Sequence, residues 1–302
     1  MKRLAPVMVI GAGCLWGCMG ILVRGMNAIG LETMEIVAVR CLVTFLCMAG
    51  GLLFFDRSAF RIRLRDLWCF IGTGLFSIVF FNYCYFKTIT MTSLSVAAIL
   101  LYTAPSIVVV LSAFLFGEKM GARKLAALAV TFAGCVCVTG GIDSASMTAG
   151  GIMTGLGAGL GYALYSIFGR YAIERGYSSL TITLWTFGVA FAGCVPLVDM
   201  GNVLMHFAGR PDAAVASLFW IFMTTVLAYL LYTLGLQQME TGKASVITSI
   251  EPVVASAIGC ILYREPVTAA GMAGMVLVIG AIALLNIKTG CRQGSAGVSD
   301  GL

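Results

Sequence analysis

Two charged residues stand inside long apolar stretches, Arg40 in residues 34 to 55 and Glu251 in residues 244 to 263. A charge held within hydrocarbon costs about 3 kcal/mol on insertion scales, so each needs a partner or a water-filled cavity. Read as helices crossing a core about 30 Å thick, the stretches put Arg40 about 9 Å from one surface and Glu251 about 10 Å from the other. Their backbones then differ in depth by about 10 Å, a gap that an extended Arg and Glu can just close. Three chemistries stay open: a direct ion pair, a grip by Arg40 on a substrate carboxylate, and proton coupling through Glu251. Glu251 could equally be a structural acceptor beside Pro252.

Polar and aromatic side chains recur in other apolar stretches and are candidates for a substrate-binding wall. They are Asn82, Tyr83, Tyr85 and Tyr102 in the first half, and Tyr162, Tyr165 and Ser166 early in the second. Trp185, Tyr229, Tyr232 and Ser249 complete the set. Each offers a ring for apolar ligand parts or a hydroxyl or amide for orientation. Taken singly, such residues serve equally well in bundle packing or at a membrane interface.

Other chemistries find no support. Ten of the eleven cysteines fall in apolar stretches, where a thiol acts as a small apolar group. The single histidine, His206, stands apart from any cysteine cluster, so neither a metal nor a cofactor is expected. An intramembrane enzyme would show paired Asp, Ser with His, or a His cluster, and none occurs. There is no Gly-x-x-x-x-Gly-Lys sequence for ATP, and the sparse polar residues argue against a continuously wet channel.

The elements that must position these residues are membrane helices. Apolar residues make up 60% of 302 and charged residues 11%, with a mean hydropathy of +1.00. Ten windows are long enough to cross a bilayer: 5 to 24, 34 to 55, 67 to 87, 94 to 116, 123 to 141, 150 to 169, 179 to 199, 215 to 237, 244 to 263 and 269 to 287. The first reads as an uncleaved helix despite its Met1-Lys2-Arg3 start. Residues 289 to 302 read as a disordered tail.

Lys and Arg gather on alternate loops. With the N-terminus inside, Arg57, Arg61, Arg63, Arg65, Lys119, Arg123, Lys124, Arg170, Arg175 and Lys243 are cytoplasmic, as are both chain ends. Arg24, Lys87, Arg210 and Arg264 face outward. This asymmetry and anionic lipid explain the net charge of +6 without a nucleic-acid partner.

The chain repeats itself. Tyr85, Ala97, Pro105 and Glu118 return 147 residues later as Tyr232, Ala244, Pro252 and Glu265, and Trp16 returns 146 later as Tyr162. An odd number of windows separates the copies, so they must lie inverted in the membrane, the arrangement of carriers that expose one central site to either side. The repeats are expected over 1 to 143 and 144 to 288. Pro105 and Pro252 break a helix at matching places, the hinge positions of such a site. Gly13 and Gly17 in span 1, and Gly157 and Gly161 in span 6, form small-residue faces for close helix packing. The two faces are expected to meet at the pseudo-twofold axis. Glu118 and Glu265 each end a span, where a salt bridge or the free amides of the next helix would fix the turn.

These residues resemble the drug/metabolite transporter superfamily, in particular its ten-span members with two EamA domains. The likeness rests on Trp16-Gly17, Arg40, Pro105 with Phe116-Gly117-Glu118, and Glu251-Pro252 with Arg264-Glu265. It implies an all-α bacterial inner-membrane carrier of two inverted five-helix repeats, a monomer or homodimer. It also implies export or exchange of amino acids, related metabolites or toxic compounds, and proton coupling through Glu251 stays open beside it. Arg264 departs from the Gly-Glu pattern of the first repeat.

Overall fold

The computed structural model describes residues 4–140 and 148–286. The expected repeat boundary at 143/144, the tail from 289, and the basic residues Lys2 and Arg3 lie outside the described residues. Nine helical segments there are long and apolar enough to cross a membrane. They are Ala5–Ala28, Thr33–Phe55, Leu64–Met91, Leu94–Phe116, Ala149–Glu174, Ser179–Leu197, Pro211–Leu236, Thr241–Tyr263 and Ala269–Asn286. These are spans 1 to 4 and 6 to 10. Span 5 is the helix Ala122–Val138, whose 17 residues are the lower limit for a crossing.

Polar side chains at the ends set where spans start. Glu32 and Glu35 exchange side-chain and backbone bonds in a capping box before span 2. Ser93, Thr148 and Ser178 accept amides from the first turns of spans 4, 6 and 7.

Packing follows the duplication. Span 1 lies against spans 8 and 9 of the other half, and span 6 lies against spans 3 and 4. Span 2 packs on span 7, span 4 on span 9, and span 5 on span 10. The last pair approaches closely, since a Cβ on Gly134 would come within 2.8 Å of the Gly274 carbonyl oxygen.

The irregular places match as well. Span 3 is π-helical over Gly72–Val79 and span 8 over Phe222–Leu227. Span 4 breaks after Leu101 and resumes at Ala104, with Pro105 in its first turn. Span 9 passes through a 3-10 turn at Thr248–Ile250 and resumes at Glu251 with Pro252. In both, the proline opens a new helix, where its missing N–H needs no partner. Both spans end on a left-handed residue, Gly117 at φ 65° and Arg264 at φ 54°. Glycine adopts that conformation freely, whereas a side chain such as that of Arg264 makes it costly.

The small-residue faces do not meet each other, contrary to expectation. Gly13 and Gly17 pack on the break in span 9: a Cβ on Gly17 would lie 2.8 Å from the Glu251 carbonyl oxygen. Gly157 and Gly161 pack on Cys84 and Phe81 of span 3. Each glycine face thus receives a span of the other repeat: span 9 at its break, and span 3 in the regular helix that follows its π-helical stretch.

Candidate functional site

Five spans from the two repeats line a small cavity of about 20 Å³, room for one water molecule. Its walls come from span 1 (Trp16), span 3 (Ser77, Ile78, Phe81), span 6 (Tyr162, Tyr165, Ser166), span 8 (Tyr229, Tyr232) and span 9 (Thr248). Trp16 stands at the centre of the aromatic group. Its ring lies 5.0 Å from Tyr229 and 6.3 Å from Tyr162, both edge-on, and 5.3 Å from Tyr232. Edge-on contact sets the positive rim of one ring against the negative face of another.

The hydroxyl groups are largely committed to one another. Tyr162 donates to Glu251 Oε2 at 3.1 Å, Tyr165 pairs with Thr233 at 3.0 Å, and Tyr232 pairs with Ser166 at 2.6 Å. Thr248 donates to the Ser245 carbonyl at 2.7 Å. These pairs satisfy polar groups that would otherwise be costly inside an apolar bundle. The buried indole N–H of Trp16 has no acceptor.

Arg40 and Glu251 form no ion pair. Arg40 Nε donates to Thr225 Oγ1 at 3.3 Å, in the π-helical stretch of span 8, while Glu251 takes the Tyr162 hydroxyl. Each charge is held by a neutral hydroxyl group, which leaves both carriers of charge available to other partners.

Tyr162, Tyr165 and Tyr232 meet at the cavity. Tyr85 and Tyr102 are near it: Tyr85 packs 5.9 Å from Phe81, and Tyr102 sits at the break in span 4 against the main core cluster. Ser249 is buried in the 3-10 turn beside Glu251, where its neighbour Thr248 is the one that reaches the wall. Three expected wall residues lie elsewhere. Tyr83 is 55% exposed, because the face of span 3 that carries Ile78, Phe81 and Tyr85 inward turns residue 83 outward. Asn82 is buried, but its amide donates to the Ile78 carbonyl at 2.7 Å within its own helix. Trp185 packs on Phe70, with centroids 6.4 Å apart, among clusters away from the cavity.

The wall also holds Trp16, Ser77, Ile78, Phe81 and Thr248, which residue type and place in the chain did not single out. The interval of 146 that ties Trp16 to Tyr162 is the signal that would have found the first. Among the described residues no group of three His, Cys, Asp or Glu side chains is arranged to hold a metal. His206 bonds the Asn202 carbonyl at 2.8 Å in the short helix Met200–Gly209.

The basic loops share one face. Asp66 joins Arg175 at 3.0 Å and Tyr177 at 2.8 Å, while Lys124 bridges Glu118 at 3.5 Å and Glu240 at 2.7 Å. On the opposite face Arg24 pairs with Glu265 at 2.6 Å and lies over the Tyr263 ring.

The chain is similar throughout its length to known membrane transporters. A Bacillus subtilis (strain 168) protein named as the uncharacterized transporter YxxF is 25% identical over 99% of this chain and 93% of its own. A Salmonella typhimurium protein named as the uncharacterized inner membrane transporter YicL is 22% identical over 95% and 97%. Another Salmonella protein, named a probable amino-acid metabolite efflux pump, is 22% identical over 62% of this chain and 65% of its own. A solved crystal structure shares the fold with a TM-score of 0.76 at 17% identity, covering 95% of this chain and 97% of that one. The model of the EamA-like transporter family matches twice, at residues 3–140 and 149–287. The chain therefore belongs to the EamA-like transporter family, a multi-pass membrane protein built from two copies of one EamA unit.

Proposed function

We propose that the chain is a secondary transporter of small amphipathic metabolites, amino acids foremost, working by alternating access around the aromatic cavity in a bacterial inner membrane. One observation carries this reading: Trp16 of the first repeat is set against Tyr162, Tyr229 and Tyr232 of the second, in a wall that also takes Thr248 from the break in span 9. A site walled by both halves changes shape when they rock, and broken helices are where such carriers hold their cargo. The name of the Salmonella efflux pump supports amino-acid metabolites as the class. We assign the basic face to the cytoplasm on its Lys and Arg content, with both termini there.

In this reading the walls approach too closely for cargo in the form described, so loading requires the tyrosines to separate. Arg40 meets a substrate carboxylate, the rings pack its body, and Glu251 exchanges a proton when its bond to Tyr162 is released. The second reading is a proton-coupled exporter of lipophilic cations. It is favoured by the same ring faces beside a carboxyl group, since aromatic faces attract cations.

Reconstitution into liposomes tests both. Counterflow of amino acids and of amphipathic cations is measured with and without a pH gradient. Saturable exchange of amino acids supports the first reading, and exchange of cations alone supports the second. Turnover of a lipid or peptide without exchange would sink both.

A further inference from the structure

We infer that Trp16 is the residue by which the site selects its ligand: its indole N–H donates to a ligand oxygen, as in a carboxylate, carried on an aromatic or aliphatic body. The inference rests on the transport reading above and makes its cargo chemistry specific.

Trp16 is only 8% exposed, and its ring nitrogen is shielded yet has no acceptor. An indole N–H can only donate, so the deficit is met only by a group that brings a lone pair. No surrounding oxygen, including those of Tyr162, Tyr229 and Tyr232, lies in hydrogen-bond geometry to it. Nor can the helix rotate to find another partner, because Gly17 is pressed against the Glu251 carbonyl and Val254, and Gly13 against Thr248 and Ile250.

The chemistry discriminates between cargo classes. A carboxylate or carbonyl oxygen satisfies the N–H, and a charged acceptor does so more strongly than a neutral one. An ammonium group or a lipophilic cation offers no lone pair and leaves the donor unpaired. Sites built to bond a particular ligand group reject analogues that lack it far more strongly than sites that read shape alone. Trp185 serves as an internal control. Its buried nitrogen is also unpartnered, but its ring packs on Phe70 outside the cavity.

The test is counterflow by the full chain in liposomes, with phenylalanine and phenethylamine as matched probes that differ in the carboxylate. Trp16 is replaced by Phe, and separately by 3-benzothienylalanine, which keeps the volume of indole and puts sulfur where the N–H stood. Both changes are expected to raise KM for phenylalanine by about tenfold or more, the size of one charge-assisted hydrogen bond. The rise for phenylalanine should exceed any change for phenethylamine by about tenfold, weak or absent wild-type exchange of phenethylamine beside that of phenylalanine being the same preference, and Trp185→Phe should leave both unchanged. Should Trp16→Phe fail to fold, the benzothienyl form carries the test alone. Equal changes for the two probes, no change for either, or wild-type exchange of phenethylamine alone would overturn the inference while leaving the transport reading in place. Exchange of neither probe, nor of any other amino acid or cation, by the wild type would remove both.

Discussion

The carboxylate of Glu118 accepts the backbone N–H of Gly242 at 3.0 Å, and its other oxygen accepts that of Thr241. The end of span 4 is thereby tied to the start of span 9 across the two repeats, in addition to its bridge to Lys124 of the neighbouring span 5 at 3.5 Å. Free amides at a helix start carry partial positive charge, which suits a carboxylate. By the repeat, Glu265 should bind the start of span 4 at Leu94 and Ser95, but it takes Arg24 at 2.6 Å instead. The symmetry of the sequence is therefore broken in the bonding. Both ends of the bundle are fastened across the halves at this position, one by buried backbone amides and the other by an exposed ion pair.

The two glutamates should differ sharply in what they contribute. The Glu118 side chain is 8% exposed and that of Glu265 is 49% exposed. Glu118→Gln gives up one of two charged acceptor bonds and should cost about 1.5–3 kcal/mol. Glu265→Gln breaks an exposed ion pair and should cost less than about 1 kcal/mol. Thermal denaturation of the two variants in detergent measures the difference, and equal losses would contradict the asymmetry.

Acid should weaken the same tie. Burial resists ionisation of Glu118, but the Gly242 and Thr241 amides and the Lys124 charge outweigh it and hold the carboxyl below the ordinary value of 4.5. A lowered folded value means that the charged form stabilises the native state above the ordinary value, and that this stability is lost as pH falls through the folded one. The gap in Tm between wild type and Glu118→Gln should be constant from about pH 6 to about pH 8 and shrink below about pH 4.5. A gap that grows in acid would reverse the assigned sign.

Much of this architecture was legible. Apolar length marked the spans, and matched prolines marked the breaks in spans 4 and 9, because both signals act through the local backbone. The π-helical stretches at Gly72–Val79 and Phe222–Leu227 left no trace, since a change of helical period is invisible where every neighbour is apolar. For the same reason Tyr83 could not be told from Tyr85: a helix apolar all round carries no mark of its inward face. The pairing of Arg40 with Thr225 was also hidden, because depth in the bilayer says nothing of rotation about a helix axis.

Span 1 should tolerate added bulk only away from span 9. A Cβ at Gly17 would lie 2.6 Å from the Val254 Cβ and 2.8 Å from the Glu251 carbonyl oxygen, and neither can move without shifting the break. Gly20, one turn on, has nothing within 4 Å of the same atom. Gly17→Ala should cost about 1–3 kcal/mol through overpacking, whereas Gly20→Ala should be neutral or slightly stabilising in helix propensity. Thermal denaturation reads both, and a stable Gly17→Ala protein would mean that spans 1 and 9 are not locked as described.

Glu251 and Tyr162 share one hydrogen bond but should not share one role. Tyr162 donates to the carboxyl at 3.1 Å from within the ring of aromatic walls, so its hydroxyl ties the position of Glu251 to the state of the cavity. Of the two groups, the carboxyl is the one that could serve the proton exchange proposed above. Glu251→Gln keeps an acceptor for Tyr162 and removes the titrating group, so exchange down a substrate gradient should persist while a pH gradient no longer drives accumulation. Tyr162→Phe removes the donor and keeps the carboxyl, so accumulation should still follow the pH gradient, with KM raised by about tenfold if the loosened carboxyl misplaces the wall. The measurement is uptake into liposomes at matched and unmatched pH for each variant. Gradient-driven accumulation by Glu251→Gln at the wild-type level would assign coupling to another group and leave Glu251 as an acceptor at the break in span 9.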